Sequence, residues 1–566
     1  MYLRTTKRKN SDGSVVEYYQ LAHNVRHAKT GSPVAEIIHN FGRADELDRD
    51  ELVRLCRSIA RVCGVEVHDP MGPAQAPTAD DRPAALPEDV KLVRTIELGV
   101  PLVVEALWDR LKIGPALRKL IEQAGGSPLH ERALLAMTAN RLCDPDSKLG
   151  VWDRWLDSVY LPSCSTVKLY QMYEALDLLH RNAAGVENAV FFHVANLFNL
   201  VVDVIFYDTT TASFSIDEED EDSETGPGFR KYGHCKDGTW SPQVVVALAV
   251  TREGLPVRSW VFPGNTSDVD TVKKVREDLR GWKLGRALFV ADCGTNSSTN
   301  RDELAKACGK YLLATRVGSV AEIKEDVLTR PGRFNTIAEN LKAKEVIVGD
   351  GVLQRRYILC YNPREAERER KHREQVVKEL EAELKNHPDH KATAKWAIDL
   401  LASRRYKRYL TIDEQDLIRL DREAIRKASK HDGKWVLQTN DDTISVADAA
   451  AGYKGLLVIE RVFRTLKNTR IKMEPVFHWL PKRIEAHVKL CVLALLIEKA
   501  AELECKQPWS HIQGALSTLQ ATEFQTPKNL FFQRNEPTSQ LVSILKSLKI
   551  PMPKAVLDIK SAPSET

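Results

Sequence analysis

Cysteine pairs with metal or redox spacing are missing from this 566-residue chain. Its 10 cysteines, at 56, 63, 143, 164, 235, 293, 308, 360, 491 and 505, include no Cys-x-x-Cys, and no Cys/His group has the compact spacing of a zinc site. Free thiols in a cytosolic protein are the expectation. Long hydrophobic runs are missing too. The longest, Phe191–Phe206 and Val488–Ile497, are too short or too interrupted to cross a bilayer. Met1–Asn10 is polar and lacks the apolar core of a signal peptide. The expected location is therefore cytoplasmic, with no membrane partner. An excess of one charge is nearly absent: 82 Lys and Arg against 78 Asp and Glu leave +4. Overall charge thus says nothing about nucleic acid, and only its distribution can.

What is present is enough apolar material, 43% of residues, to bury a sizeable core. At roughly 100–200 residues per domain, the length suits three or four units. Residues 1–66 read as a small β-rich module, with strand-like Val15–Ala22 and Ser32–Phe41 and a helix-like Asp45–Val62. Residues 67–88, rich in Pro, Ala and Asp, read as a linker. Residues 89–200 read as helical, with apolar spacing in Leu102–Leu111, Leu117–Ala124, Glu131–Leu142, Thr166–Asn182 and Ala184–Phe198. Such a bundle suits plain packing as well as DNA binding.

From 201 to 315 the pattern changes. Strands are expected at Val201–Tyr207, Gln243–Thr251, Leu255–Phe262, Arg286–Ala291 and Tyr311–Thr315, with helices at Val269–Leu279 and Ser298–Ala307. That order predicts a mixed α/β sheet. Residues 316–450 interrupt it with strand-like Glu345–Asn362, charged helices over Arg364–Lys385 and Ala392–Tyr409, and a strand at Lys434–Thr439. One long helix is expected from Ser445 to Thr469. Residues 501–566 read as a helical region with a poorly ordered tail containing Pro551, Pro553 and Pro563.

Asp208 and Asp292 each follow a hydrophobic strand. Carboxylates at the carboxyl ends of neighbouring strands converge where open α/β sheets place ligands. Two such charges repel each other, and a divalent cation supplies a reason for them to sit close. Glu460 is the candidate third acid. It lies between apolar neighbours, and Tyr453, Glu460 and Lys467 share one helical stripe, with Arg464 a turn beyond. From Tyr453 to Lys489 there are nine Lys/Arg and three acids, a local basic bias suited to phosphates. Taken singly, each aspartate reads as a turn or cap residue, and Glu460 as surface charge. The case rests on order and context together. The acidic run Asp217–Asp222 with Glu224 reads as a solvated loop.

These residues resemble the DDE transposases of bacterial insertion sequences, in the group with a Tyr-x2-Arg-x3-Glu-x6-Lys (YREK) signature. The matching stretches are Tyr207-Asp208-Thr209-Thr210, Gly233-His-Cys-Lys236-Asp237, Pro263-Gly-Asn-Thr-Ser-Asp268, Val290-Ala-Asp292-Cys-Gly294 and Glu460-Arg-Val-Phe-Arg464-Thr-Leu-Lys467. His478, Arg483, Ile484 and His487 also fall at family positions, and the clear match spans about 200–500. One departure stands out: the signature arginine falls at Leu456, so that phosphate contact is either absent or supplied from elsewhere, with Arg461 and Arg464 the candidates.

The resemblance implies a ribonuclease-H-like α/β core of mixed sheet and flanking helices, in two parts, 201–315 and 451–500. An α+β insertion domain (316–450) would separate them, and the helical 89–200 would be the DNA-binding region. It implies two Mg²⁺ ions, with Mn²⁺ able to substitute, held by Asp208, Asp292 and Glu460. Lys467, Arg464, Arg461, Tyr453, Lys236, Arg483 and His487 would contact DNA. Trp435, Trp240 and Trp479 could stack on an unpaired base. The expected activity is cleavage at terminal inverted repeats and joining of 3′-hydroxyl ends to target DNA, by a homodimer acting at the nucleoid. A ribonuclease-H-like nuclease and a domesticated DNA-binding derivative are the alternatives.

Overall fold

The structure, a computed structural model, describes residues 2–9, 15–26, 33–43 and 90–561, apart from breaks at 201, 223–227, 237, 280–281, 283–286, 308, 316–322, 351–353, 388–390 and 393. Residues 1–88 and 89–566 form two compact units. The first contains an antiparallel sheet of β1 (Tyr2–Lys9), β2 (Val15–Arg26) and β3 (Pro33–Arg43), in that order. β1 is an addition to the sequence reading. After Tyr2-Leu3 it holds only Arg, Thr and Lys, which gives periodicity nothing to detect. The expected helix Asp45–Val62 and the linker 67–88 lie outside the described residues.

The second unit opens with β4 (Lys91–Glu97), then α1 (Gly99–Arg110), α2 (Ile113–Gln123), α3 (Pro128–Cys143) and α4 (Leu169–Leu197). Ser127 starts α3 by accepting the Leu129 N–H, with Pro128 at the first helical position, where its missing N–H costs nothing. The two helices expected between 166 and 198 are one helix of 29 residues, because Ala183-Ala184 at the expected joint favour continuation. β4 corrects the all-helical reading of this region: it pairs with residues 520–525, far along the chain.

The main sheet is built from β5 (Val204–Ser213), β6 (Lys231–His234), β7 (Trp240–Thr251) and β8 (Pro256–Pro263), then α5 (Asp268–Leu279), β9 (Leu288–Ala291), α6 (Ser298–Ala307) and β10 (Lys310–Thr315). Next come β11 (Asn335–Ala338), β12 (Leu341–Val348), β13 (Arg355–Tyr361), α7 (Pro363–Asn386), α8 (Lys395–Ala402), a hairpin of β14 (Leu410–Ile412) and β15 (Ile418–Leu420), α9 (Arg422–Ser429) and β16 (Lys434–Thr439). The ten-stranded order is β11-β12-β13-β16-β10-β9-β5-β7-β6, with β8 on β7. β5, β9 and β10 run parallel, and β7 is antiparallel to β5. This mixed sheet with its helices fits a ribonuclease-H-like core. β11, β12, β13 and β16 extend that same sheet, so 316–450 is continuous with the core through β16 and β10. Its helices α7 and α8 pack in a small separate cluster around Val376, Leu380 and Ala397.

The expected single helix from 445 is broken. It consists of α10 (Val446–Lys454), a turn at Gly455-Leu456, α11 (Leu457–Arg464) and a wider helical turn over Thr465–Thr469. α12 (Pro481–Cys505) then runs through the core, buried at nearly every position from Ile484 to Ala501. The tail is ordered through 561, against expectation. After α13 (Trp509–Leu516), β17 (Gln520–Gln525) and β18 (Asn529–Arg534) comes α14 (Ser539–Ser547), and β19 (Val556–Ser561) completes a sheet of order β19-β18-β17-β4. Pro551 and Pro553 sit in the connection before β19, where no ladder N–H is required, and Pro563 lies outside the described residues. Among the described residues seven cysteines are free, and no helix is long and apolar enough to cross a membrane.

Burial on α12 has a pH consequence. Glu498 is fully buried, and burial pushes its carboxyl up to about 7 despite the Arg470 guanidinium 3.0 Å away. Its folded pKa exceeds the ordinary 4.5, so the folded state gains stability below about 4.5 and loses it as pH rises through about 7. Glu498→Gln removes that loss. Its melting temperature relative to the wild type should rise between pH 5 and pH 8 in thermal unfolding. A pH-independent difference would mean that Arg470 compensates fully.

Candidate active site

Strand alternation aims Asp208. On β5, Val204 and Phe206 join the large core under α10–α12, whereas Ile205 and Tyr207 join the core under α5. Asp208 follows the parity of Phe206 and so faces α11. On β9, Val290 shares that face and Ala291 the other, which puts Asp292 on the same side as Asp208. The parallel register pairs Phe206 with Val290 and Tyr207 with Ala291, and one further step sets Asp208 beside Asp292. Asp208 lies within β5, not after it. Thr209, Thr210 and Thr211 are β-branched and continue the ladder against Ala247, Val246 and Val245.

Glu460 lies on α11, whose buried side, Ile459, Val462 and Phe463, packs on the core while Glu460 itself is exposed. A pocket of about 320 Å³ is lined by Asp208, Asp292 and Glu460, with Trp435, Tyr453, Lys454, Leu456, Leu457 and Ile459. The three acids, more than 250 residues apart at the extremes, thus meet at one cavity. They do not close into a tight cluster: among the described residues no group of three or more His, Cys, Asp or Glu is placed to hold a metal ion. As a donor set they suit a hard divalent cation, being carboxylate oxygens only.

Burial pushes the Asp208 carboxyl up to about 6. The Thr209 amide and the Lys236 ammonium favour its ionised form, while the Asp268 and Asp292 charges oppose it. A cation in the pocket would reverse that balance. The Tyr453 hydroxyl donates to Asp292 Oδ1 at 2.9 Å, and burial together with the Asp292 charge raises its own proton affinity. Tyr453 therefore serves an aspartate here, where the sequence suggested DNA.

Residues 203–496 match the family model of the transposase DDE domain. The chain belongs to the DDE transposase family. Residues 3–69 of this transposase match the model of the IS1634 family transposase N-terminal domain, which makes it an insertion-sequence DNA transposase. A solved piggyBac transposase, in a synaptic complex with hairpin DNA, is similar at 10% identity with a TM-score of 0.33, over 69% of this chain and 70% of that one. No curated protein matches.

The other residues expected to contact DNA divide into three groups. Arg461 and Arg464 are exposed on the transposase's Glu460 helix. Lys236, Lys467 and Arg483 are engaged by acids. Lys236 pairs with Asp268 at 3.3 Å, Lys467 lies 3.7 Å from Glu474, and Arg483 grips Asp177 at 2.9 and 3.2 Å. Glu474 also accepts the Ser213 N–H at 2.7 Å, which ties the segment after α11 to β5. His487 is a correction. It is buried on α12, with Nδ1 2.9 Å from Lys148 Nζ and Nε2 3.0 Å from the Met473 carbonyl, so it has no surface to offer DNA. Neighbouring His478 is buried too, and burial with the Lys148, Arg483 and Arg141 charges holds it down to about 3.

Of the tryptophans, Trp435 lines the pocket, and Trp240 and Trp479 are exposed, the latter with the Arg230 guanidinium 4.6 Å from its ring centre. Leu456, at the signature arginine position, is buried in the core. The acidic run Asp217–Asp222 is a largely exposed loop, tied down by Asp220 on Arg230 and by Glu219 and Asp222 on Lys231. Sequence reading passed over Asp268 and Thr209 as individual residues, although both stand in stretches quoted for the resemblance.

Proposed function

We propose that this transposase belongs to the Tyr-Arg-Glu-Lys group and cuts and joins DNA with Asp208, Asp292 and Glu460 as its catalytic carboxylates. The reading is carried by one observation: these three acids, from three separate stretches of chain, line a single pocket. A pair of divalent cations, Mg²⁺ or Mn²⁺, would lower the pKa of an attacking water and neutralise charge at the scissile phosphate. Asp208, Asp292 and Glu460 would hold them, Glu460 closing on the two aspartates when DNA fills the pocket. Tyr453 keeps the Asp292 carboxylate turned inward through its hydrogen bond. Arg461 and Arg464, exposed on the same helix, and Lys236 and Lys467 nearby, would hold backbone phosphates and so set the strand in line.

In this reading the helical 89–200 binds the terminal inverted repeats, and 316–450 lines the DNA path. Two copies bring the element ends together, and the freed 3′-hydroxyl attacks the opposite strand, as a hairpin, or target DNA. Trp435, which lines the pocket, would stack on a base that leaves the helix.

The test uses the full chain with duplexes carrying the DNA ends that flank its gene and a plasmid target. Mg²⁺ should support both cleavage and joined products, and chelation should remove both. Cleavage without joining would favour a plain nuclease. Binding with neither, under Mg²⁺ or Mn²⁺, would leave a DNA-binding derivative.

A further inference from the structure

The sheet face opposite Glu460 carries a second set of contacts to both aspartate-bearing strands, and all of them meet in the first turn of α5. The neighbours of Asp208 point that way by strand parity. The Tyr207 hydroxyl donates to Thr271 Oγ1 at 2.6 Å, and Thr271 Oγ1 donates to the Asp268 carbonyl at 2.7 Å. The Thr209 hydroxyl donates to Asp268 Oδ1. On the Asp292 side, Gly294 packs against the same carboxylate, and a Cβ there would lie 2.8 Å from Asp268 Oδ2. Asn300 Nδ2 bridges the carbonyls of Val269 at 2.9 Å and Thr295 at 2.8 Å. Tyr207, Thr271, Thr295 and Asn300 are all buried, so these links are not solvent bridges.

An aspartate heading a helix ordinarily caps its own backbone. The Asp268 carboxylate is used differently. Oδ1 takes the Thr209 hydroxyl, and Oδ2 lies 3.3 Å from Lys236 Nζ. The Lys236 backbone N–H donates to Thr211 Oγ1 at 2.9 Å, which fixes that lysine beside β5, and its ammonium is near enough to act on the Asp208 charge. The Lys236 charge already acts on Asp208; an ammonium released from Asp268 and drawn to that carboxylate would compete with a cation for the same oxygens.

We propose that Asp268 is a positioning residue: its carboxylate fixes Thr209, the Gly294 turn and Lys236, so that Asp208 and Asp292 present their oxygens together and stay free for a cation. This rests on the reading of Asp208 and Asp292 as the catalytic pair.

The test uses the full chain, element-end DNA under single-turnover conditions, Mn²⁺ binding followed by electron paramagnetic resonance, DNA affinity and thermal unfolding. Asp268→Asn keeps an oxygen for Thr209 but loses the charge that holds Lys236. It should cut about tenfold more slowly and bind Mn²⁺ correspondingly more weakly, with unchanged DNA affinity and melting temperature; Asp268→Ala should lose about 100-fold. Gly294→Ala pushes on the same carboxylate from the other side and should lose comparably. Combined with Asp268→Ala it should add little, because the new methyl no longer has a carboxylate to displace. Fully additive losses, or losses that only track melting temperature, would overturn the proposal. Asp208→Ala run in parallel separates the two ideas. If it cuts normally, the active-site reading falls and positioning with it. If it is inert while Asp268→Asn and Gly294→Ala match the wild type in rate and Mn²⁺ affinity, positioning alone falls.

Discussion

Glu460→Ala lowers Mg²⁺-dependent cleavage of element-end DNA by roughly 10³-fold or more, and Asp208→Ala and Asp292→Ala do the same, while DNA affinity stays within about threefold. A methyl group cannot hold a hard cation. The cation's charge stabilisation is worth several kcal/mol, at about 1.4 kcal/mol per tenfold in rate. Binding should survive, because affinity for DNA is spread over many phosphate contacts, most of them remote from this pocket. Glu460 is the most informative of the three. Asp208 and Asp292 are set side by side by the register of β5 and β9, whereas Glu460 stands on an exposed helix turn and shares only the pocket with them. On the proposed reading, Glu460 meets the aspartates only by closure of α11, which calls on the full length of its side chain. Glu460→Asp, one methylene shorter, should therefore also lose most activity, and Glu460→Gln should be as poor as alanine. Cleavage in single turnover and DNA binding by mobility shift separate these effects. Wild-type turnover in any of the three alanine variants would remove that residue from the site.

The placement of the two aspartates on the sheet was legible from the strands that carry them, although each taken singly reads as a turn or cap residue. Asp208 and Asp292 ride on short β-branched and aromatic runs, and such runs become central parallel strands wherever both faces of a sheet are covered. Parity could have been read as well. Alternation from Val204 and from Leu288 puts both aspartates on one face, and the same alternation turns Tyr207 and Thr209 to the other, where Asp268 waits. What hid Asp268 was its place at a helix start, where an aspartate has an ordinary explanation.

The errors share a cause, which is that sequence-local patterns do not report partners far along the chain. β4 is exposed over most of its length and is held by residues 520–525, more than 400 positions away. β19 is held at the edge of that same sheet by β18, so the proline-bearing tail is not free. The strands of 316–450 were visible singly, but only the pairing of β16 with both β10 and β13 shows that they extend the catalytic sheet. His487 fell at a family position next to basic residues. It is nevertheless inside, because α12 runs through the core and is buried at nearly every position from Ile484 to Ala501.

The broken helix before Glu460 leads to the second large effect. Gly455 sits in the turn between α10 and α11, directly over β5. A Cβ there would lie 2.3 Å from Phe206 Cζ and 2.9 Å from the Gly452 carbonyl, well inside contact distance. Phe206 is fully buried two residues before Asp208 and has no room to swing aside. Glycine at 455 is thus what lets the Glu460 helix approach the strand that carries Asp208. Gly455→Ala should cost about 1–3 kcal/mol of stability by overpacking. Because relief comes most easily by lifting α11, it should also cost about 10²-fold in cleavage, the price of roughly 1 Å of misplacement. Phe206→Leu removes the ring atoms that collide, so the double variant should recover much of both losses relative to Gly455→Ala. Thermal unfolding and single-turnover cleavage measure the two quantities separately. A Gly455→Ala protein with native melting temperature and native rate would show that α11 does not depend on this close approach. A loss of stability alone would show that Glu460 reaches the aspartates through a motion that tolerates a displaced helix.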